Sequence, residues 1–415
     1  MSEVKNKGKL AKEASYLLAS KSTEEKNHAL ELIAKQLIED EAEILQANQL
    51  DLSEGKKANL TDAVLDRIML DGKRIKDISQ AVIDLTHLTD PIGEVFETVE
   101  KDNGLLIEKT RVPIGVIGMI YEARPNVTID AATLSLKTGN AVVLRGSSSA
   151  IHSNKALIAS LHKALEKSDI PTEAFQLIED TSRETAKEFF KLNEYLDVLI
   201  PRGSANLIQV VLKEATVPVI ETGAGNCHVY LDESAQKEMA IDIVKNAKLQ
   251  RPSVCNAIET ILIHPEAYNR FGETLLTELT EQGVKIHADE TIHAKFTDSI
   301  LATEEDWYQE YLGNEVSVKL VNDYQKAIGH INKYGTGHSE AIVTENDSHA
   351  KAFLQGVDAS SVYHNASTRF TDGGEFGYGA EMGISTQKIH ARGPMGLQAL
   401  TSSKFIIKGQ GQIRH

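Results

Sequence analysis

The sequence is poor in cysteine, in basic residues relative to acidic ones, and in long apolar runs. Two cysteines in 415 residues are too few for a disulfide framework, which favours a reducing compartment. The net charge of −16 disfavours non-specific binding to nucleic acid or to an anionic membrane surface. An anionic small molecule remains a candidate ligand, because a local cluster of arginines can outweigh the global field.

Several sequence signals of other protein classes are also lacking. The stretch 1–21 is polar and has no apolar core of the kind that a signal peptide needs, and no apolar run approaches the length of a membrane span. We therefore expect a cytoplasmic protein. No GxGxxG fingerprint follows a predicted strand, so an ordinary dinucleotide site is not indicated. The histidines show no metal-ligand spacing, and no metal is assigned.

The chain is long enough for two or three domains, and its first ninety or so residues read as helices. Ser22 and Glu25 form a capping-box pattern, and apolar residues recur behind it at helical spacing. We expect a helical layer that covers a sheet.

The pattern becomes alternating between Glu94 and Val112, on both sides of Asp102-Asn103-Gly104. Asn-Gly between two alternating runs predicts a β-hairpin. A two-stranded ribbon alone is marginal in water, so it needs a partner, which a second subunit could supply. The segment Lys404–Lys408 is predicted as a short strand, long enough to pair with this ribbon.

Beyond Pro113, short apolar strands alternate with helical segments, and the alternation restarts after Asn226. This spacing predicts βαβ units and α/β domains built on doubly wound parallel sheets. Ligands of such sheets bind at the carboxyl ends of the strands. The predicted strands are Val116–Ile120, Ala141–Leu144, Phe175–Ile178, Asp197–Ile200, Pro218–Glu221, Val229–Leu231, Thr260–Ile263, Val316–Leu320, Ala341–Thr344 and Ser361–Tyr363.

The candidate catalytic segment is Leu249–Glu259, because it contains Cys255. A thiolate is the best nucleophile among the side chains, and a cationic neighbour or a helix N-terminus favours its formation. Arg251 is such a neighbour, and the residues from Asn256 onward would suit a helix entry. The alternative is that Cys255 is simply a small buried hydrophobe.

Polar residues follow two of the predicted strands. Arg145, Gly146, Ser147 and Ser148 come after one strand, and Gly203-Ser204 precede a helix after another. A nucleotide could be held there by the cation, the hydroxyls and the helix entry. Turn chemistry explains Gly-Ser pairs equally well.

Two further polar residues, Asn126 and Glu221, each have two interpretations. Asn126 is either a helix N-cap or an amide donor to an oxyanion. Glu221 is either a base or the partner of a cation. For Cys227 and His228, at a strand start, core packing is the better interpretation.

Four segments together closely resemble the γ-glutamyl phosphate reductase branch of the aldehyde dehydrogenase superfamily. They are QRPSVCNAIET around Cys255, YEARPNVTIDA around Asn126, VIETGAGNCHVYLD around Glu221, and RGSSSAIHSN from Arg145. The resemblance covers nearly the whole chain. It implies a cofactor-binding domain (1–92 and 113–222), a catalytic domain (223–394) and a small β flap for oligomerisation (93–112 and 395–415).

The resemblance also implies a reaction, the second step of proline biosynthesis from glutamate. NADPH and L-glutamyl 5-phosphate would give L-glutamate 5-semialdehyde and phosphate through a thioester on Cys255. Asn126 and the Cys255 backbone N–H would stabilise the oxyanions. The implied assembly is a homodimer or homotetramer, with a transient contact to the upstream glutamate kinase as a candidate interaction.

Binding roles follow from the same resemblance. Arg145–Ser148 replaces a Lys-Pro-Ser-Glu stretch of ordinary aldehyde dehydrogenases, and the loss of the acid beside an arginine favours NADP(H) over NAD. Glu310 resembles the ribose-binding glutamate. Glu221 matches a water-activating glutamate, although hydrolysis of the thioester would waste substrate here.

For the substrate's anionic groups we nominate Arg124 and Arg251, with Arg392 less favoured. A surface or structural ion pair is the alternative for each arginine. Two rival functions stay open: another acylating or hydrolytic aldehyde dehydrogenase, and a catalytically inactive binding or assembly protein on this fold.

Overall fold

The computed structural model describes residues 1–414. Its helices are α1 (Glu3–Leu18), α2 (Thr23–Glu39), α3 (Glu41–Lys57), α4 (Asp62–Ile68), α5 (Gly72–His87), α6 (Asn126–Lys137), α7 (Ile151–Leu165), α8 (Arg183–Phe189), α9 (Ala205–Glu214), α10 (Lys237–Leu249), α11 (Pro265–Ala267), α12 (Glu273–Glu281), α13 (Glu290–His293), α14 (Tyr324–Tyr334) and α15 (Asp347–Gly356). Its strands are β1 (Val95–Glu100), β2 (Leu106–Pro113), β3 (Val116–Tyr121), β4 (Ala141–Arg145), β5 (Phe175–Leu177), β6 (Val198–Arg202), β7 (Cys227–Leu231), β8 (Ile258–Ile263), β9 (Lys285–Ala288), β10 (Ile300–Leu301), β11 (Glu315–Leu320), β12 (Ser339–Val343), β13 (Ser361–His364), β14 (Ile384–Ser385), β15 (Gly393–Pro394) and β16 (Thr401–Lys408).

The first of two compact units comprises Met1–Thr222, Gly377–Gly383 and the stretch from Met395. Its core is a four-stranded parallel sheet in the order β5-β4-β3-β6, with fully buried apolar residues along β3 and β4. Helix α1 packs on β4, and α2 packs against α5 and α7. The predicted helical layer is therefore confirmed, and so is the capping box of Ser22 and Glu25.

A three-stranded antiparallel sheet, which we call the flap, also belongs to this unit. The predicted hairpin forms from β1 and β2, and Gly104 takes the left-handed conformation (φ +80°) that its turn requires. Strand β16 pairs along β2, from Thr401 opposite Pro113 to Lys408 opposite Leu106. The chain's own tail thus supplies the third strand. Large apolar side chains of the flap remain exposed: Val95, Phe96, Val99, Phe405 and Ile407.

The second unit comprises Gly223–Phe376 and Ile384–Pro394. Its parallel sheet has the order β10-β9-β11-β8-β7-β12-β13. Successive residues of β7 enter different apolar clusters: Val229 and Leu231 face one, and Tyr230 faces the other. Both faces of the sheet are therefore covered, which confirms the predicted doubly wound arrangement.

The structure differs from the sequence prediction at five strands, because one predicted strand does not form and β9, β10, β14 and β15 were not predicted. Pro218–Glu221 was predicted as a strand, but Leu199 and Val219 form only an isolated bridge, with bonds from Leu199 N to Pro218 O (2.8 Å) and from Ile220 N to Leu199 O (3.0 Å). Pro218 has no N–H to extend the ladder. Strands β9 and β10 were missed because they are short and carry polar or exposed residues. Within residues 1–414, no helix has the length and apolar content needed to cross a membrane.

Candidate active site

Cys255 lies in the turn between α10 and β8, in the second unit, and its side chain is partly buried. The expected helix entry after Cys255 is wrong, because the chain makes a further turn and enters β8 at Ile258. The segment Ile258–Ile263, which is rich in β-branched residues, is fully buried as a central strand, and that burial outweighs the local helix signal. The Cys255 sulfur therefore has no following helix N-terminus.

The start of β7 packs directly against the backbone of Cys255. A Cβ on Gly225 would lie 1.5 Å from the Cys255 carbonyl oxygen, so only glycine fits there. The Cys227 thiol donates to the same oxygen at 3.1 Å. Cys227 is completely buried, and burial raises the pKa of its thiol well above the usual range. Neither cysteine forms a disulfide. The core interpretation of Cys227 is confirmed, and Cys255 is the more accessible thiol.

The loop after β13 holds the other side of the Cys255 turn. The Asn256 amide donates to the Thr371 carbonyl at 2.9 Å, and the Thr368 hydroxyl donates to the Asn256 carbonyl at 2.7 Å. Between these two residues, Arg369 Nε donates to Gln250 Oε1 at 2.9 Å. The segment 368–371 thus bonds to both ends of the segment 250–256, which contains Cys255.

Arg369 is the cation near Cys255 that the sequence did not reveal. Burial lowers the pKa of its guanidinium, while Asp372 and the Cys255 sulfur act in the opposite direction. Arginine stays charged in proteins, so the Cys255 sulfur lies within the field of a fixed positive charge. Arg251, which was nominated from the sequence, is exposed and adds to the positive field at Arg369.

Glu310 is bonded to the same glycine that packs on Cys255. Its Oε1 accepts a hydrogen bond from the Gly225 N–H at 2.6 Å. The second unit therefore brings together three of the features marked in the sequence: Cys255, the Gly223–Gly225 segment and Glu310.

In the first unit, Asn126 is the first residue of α6. Its N-cap interpretation is wrong, because the helix has no side-chain cap and its N-cap residue is Pro125. The Asn126 amide instead donates to Asp130 Oδ2 at 3.0 Å. Arg124 lies partly buried in the turn before the helix.

Strands β4, β3 and β6 are neighbours, so their carboxyl ends lie along one edge of the sheet. Ser204 caps α9 there, and its N–H and hydroxyl donate to Glu122 at 2.8 and 3.1 Å. Gly203 is exposed beside it. Ser147 Oγ accepts from Ala123 N at 3.2 Å, and the Ser148 side chain is exposed one residue further on.

Arg145 ends β4, followed by the buried Gly146. Arg145 Nη2 donates to the carbonyls of Thr181 (2.6 Å) and Ser182 (3.1 Å). Burial lowers the pKa of the guanidinium, and Asp180 opposes that effect. Arg145 Nε is buried without a hydrogen-bond partner among residues 1–414. The Arg145 guanidinium with its orphaned donor and the nearby serine hydroxyls fit a phosphate-bearing cofactor, whereas the N-terminus of α9 already holds the Glu122 carboxylate.

The remaining candidates have distinct surroundings. Glu221 is partly buried, and burial raises the pKa of its carboxyl group. Arg392 is exposed and donates to Asp358 Oδ1 at 2.8 Å, so the ion-pair alternative is confirmed for it. His228 is fully buried with Nδ1 3.0 Å from Glu340 Oε2, which confirms core packing.

Comparison with known proteins gives consistent results. The sequence profile of the aldehyde dehydrogenase family matches residues 1–312. Gamma-glutamyl phosphate reductases of Oceanobacillus iheyensis and Bacillus subtilis are 63% and 61% identical over 414 residues, with 100% of each chain covered. The crystal structure of the gamma-glutamyl phosphate reductase of Thermotoga maritima is 45% identical and covers 100% of both chains with a TM-score of 0.98.

Proposed function

The chain belongs to the γ-glutamyl phosphate reductase branch of the aldehyde dehydrogenase family, and from that premise we propose that it reduces L-glutamyl 5-phosphate to L-glutamate 5-semialdehyde with NADPH. This reaction releases phosphate and is the second step of proline biosynthesis from glutamate. The observation that carries the proposal is the construction of the Cys255 turn. Gly225, Asn256 and Arg369 fix an accessible thiol, whereas Cys227 is buried in the core.

In the proposed reaction, the Cys255 thiolate attacks the acyl carbon. The C–S bond forms, the C–O bond to the phosphate breaks, and phosphate leaves with that electron pair. The bound nicotinamide cofactor supplies the hydride that reduces the resulting thioester. The C–S bond of the thiohemiacetal then breaks, which releases the aldehyde and returns the sulfur as a thiolate.

Attack of the thiolate on the acyl carbon gives a first tetrahedral species, and reduction of the thioester gives a second. Both carry a negative oxygen. We assign its stabilisation to the Asn126 amide and to the backbone N–H of Cys255, each worth about 3 kcal/mol in comparable sites. Glu221 has the raised pKa of a partly buried acid, but an active base would promote wasteful hydrolysis of the thioester. We therefore assign it no proton-transfer step.

The substrate carries anionic groups at both ends, and we propose arginines for them. Arg124 and Arg251 remain candidates from the sequence. Arg369 joins them, since its guanidinium is held beside the Cys255 turn before any ligand arrives. A planar guanidinium suits a carboxylate or phosphate because it donates two parallel hydrogen bonds.

We propose that the first unit binds NADP(H), and that Arg145 and the lack of an acid at Ser148 favour the 2′-phosphate. The second unit would carry the nucleophile, and the exposed apolar residues of the flap would join subunits in a homodimer or homotetramer. A transient contact with the upstream glutamate kinase is a further proposal. The residues of the first unit proposed to hold the cofactor are Arg145, Gly146, Ser147, Ser148, Gly203 and Ser204. Glu310, which belongs to the second unit, is proposed as a ribose ligand.

The test follows NADPH formation from glutamate semialdehyde and phosphate with wild type and Cys255→Ser. We expect the variant to lose turnover and to keep its affinity for NADPH. Mass spectrometry of enzyme trapped with the acyl phosphate should find a glutamyl adduct on Cys255 in wild type. Full activity of Cys255→Ser, or an adduct on another residue during turnover, would end this proposal.

Two outcomes would favour the rival functions instead. Oxidation of simple aldehydes without phosphate would indicate another aldehyde dehydrogenase. Alkylation of Cys255 that is no faster than that of Cys227, and that an acyl phosphate analogue does not slow, would indicate an inactive scaffold.

A further inference from the structure

The side chain that holds Asn126 in place is Asp130, one helical turn further along α6. The Asn126 Nδ2 atom donates to Asp130 Oδ2 over 3.0 Å. Residues four apart on a helix lie on the same face, so this bond forms without distortion of the backbone. Both side chains are partly buried.

The bond matters because a primary amide carries two N–H donors. One of them is taken by Asp130, which fixes the torsion of the Asn126 side chain and therefore the direction of the second. An oxyanion donor is effective only when it points at the developing charge before the reaction begins. A free Asn126 would sample several rotamers and lose that preorganisation.

We propose that Asp130 is a positioning residue, which fixes the direction of the second Asn126 N–H, the donor assigned above to the oxyanion of the acyl-transfer step. The inference rests on the proposed function, since it takes Asn126 as the oxyanion donor. Asp130 itself touches neither substrate nor cofactor in this account, and it acts entirely through Asn126.

The electrostatic setting makes this arrangement sensitive to acid. Burial raises the pKa of Asp130 to about 6, and the hydrogen bond from Asn126 and the charge of Arg202, at the end of β6, oppose that rise. An ionised carboxylate is a stronger acceptor than a carboxylic acid. Protonation near pH 6 therefore weakens the hold on Asn126, and Arg202 is the charged group outside α6 that acts on this equilibrium.

A merely structural role is the competing explanation. Asn–Asp pairs at this spacing stabilise a helix by about 0.2–0.5 kcal/mol, which would change the unfolding midpoint slightly and leave turnover alone. The two explanations therefore differ in one measurable respect. Only the positioning role predicts that the effect of an Asp130 substitution on kcat depends on the presence of Asn126.

The test is a double-mutant cycle on phosphate-dependent semialdehyde oxidation, with Asn126→Ala, Asp130→Ala and the double variant. We expect Asp130→Ala to lower kcat about tenfold in the wild-type background, an effect of the size expected when an oxyanion donor loses its fixed orientation. In the Asn126→Ala background the same substitution should lower kcat only slightly, because the side chain through which Asp130 acts is gone. An equal reduction of kcat by Asp130→Ala in both backgrounds would overturn the inference.

A second variant keeps the test valid if Asp130→Ala folds poorly. Asp130→Asn retains a carbonyl oxygen that can accept from Asn126, so it should recover part of the lost kcat. The ratio of wild-type to Asp130→Asn turnover, measured at saturating phosphate from pH 5 to 8, should fall on the acid side of about pH 6. A ratio that stays flat over this range would contradict the proposed role.

Different results would contradict the proposed function and the role of Asp130. A wild type without phosphate-dependent oxidation would defeat the proposed function. An active wild type in which Asp130→Ala and Asp130→Asn both turn over normally would defeat only the role of Asp130.

Discussion

Lys248 and Glu259, both inaccessible to solvent, form an ion pair that connects the two ends of the Cys255 turn. Lys248 lies in the last turn of α10, Glu259 lies in β8, and 2.6 Å separates Nζ from Oε2. The other carboxylate oxygen accepts from the Leu312 N–H at 3.2 Å. The pair therefore fixes the turn that carries Cys255, the proposed nucleophile, and the segment that follows Glu310.

Removal of one partner of this pair should destabilise the protein strongly. Glu259→Ala or Lys248→Ala leaves a buried charge without its counter-ion, which typically costs about 3–5 kcal/mol. We expect the urea midpoint of each single variant to fall accordingly, with loss of activity where the fold survives.

The matched control is the double variant Lys248→Met/Glu259→Leu, which replaces the pair with apolar side chains of similar volume. Such replacements are often neutral or stabilising, so the double variant should be more stable than either single one. Single variants with wild-type midpoints would show that this pair does not hold the turn.

The pKa of Asp130 leads to a prediction about stability and pH. Burial raises this pKa to about 6, above its ordinary value of 3.8, so the folded state favours the protonated acid. The stabilisation from this group is complete below about pH 4 and is lost as the pH rises through 6. Relative to Asp130→Asn, wild type should therefore lose roughly 1–3 kcal/mol between pH 4 and 7.

Urea unfolding of both proteins across this range checks the direction of the change, because groups other than Asp130 cancel in the difference. A wild type that gains stability over Asp130→Asn as the pH rises would reverse the sign and refute the assignment.

Gly225→Ala should lower turnover strongly. The new Cβ would lie 1.5 Å from the Cys255 carbonyl oxygen, so the backbone of the Cys255 turn must shift. Displacements of about 1 Å in a catalytic group can cost about a hundredfold in rate. We expect kcat to fall at least that far, measured beside the alkylation rate of Cys255.

Gly329→Ala is the corresponding control, because it lies within α14 with nothing near the added methyl group. Alanine in place of glycine should stabilise that helix by about 0.5–1 kcal/mol. Normal activity of Gly225→Ala would mean that the turn tolerates a displaced carbonyl.

Arg369→Gln should raise the KM for the substrate or for phosphate more than it lowers kcat, because it removes the cation proposed to bind a carboxylate or phosphate group. Loss of a charge-assisted hydrogen bond typically costs about 1.5–3 kcal/mol, which corresponds to a KM increase of roughly 10- to 150-fold. Kinetics at varied semialdehyde and varied phosphate would show which group the arginine binds.

Arg67→Gln is the control for the change in net charge, since Arg67 is exposed on α4. It should leave both KM values unchanged. If Arg369→Gln behaves like Arg67→Gln, the arginine is structural and the anion binds elsewhere.

Periodic patterns in the sequence are sufficient to predict most of the fold. The apolar runs of β3, β4, β7 and β8 and the Asn-Gly turn each encode their structure locally. Prediction failed where the contacts were distant or the local signal pointed elsewhere. Pro218 cannot extend a ladder, and the segment after Cys255 enters a central strand despite its helix-like start.

In the candidate site, too, residues in local motifs could be predicted and those placed by distant contacts could not. Cys255, Asn126 and Arg145 stand in recognisable local segments, whereas Arg369 reaches Gln250 across a large part of the sequence and has no local signal. Asp130 is intermediate, because it lies four residues after Asn126 on a predicted helix. That spacing was the available signal, and only the hydrogen bond shows its use.

The pairing of β16 with β2 also constrains the order of assembly during synthesis. A ribosome makes β1 and β2 early, but the strand that completes their sheet emerges only after the residues of the second unit have been translated. Until then the hairpin has an open edge that invites pairing with other nascent chains. The flap is therefore complete only after translation has passed β16.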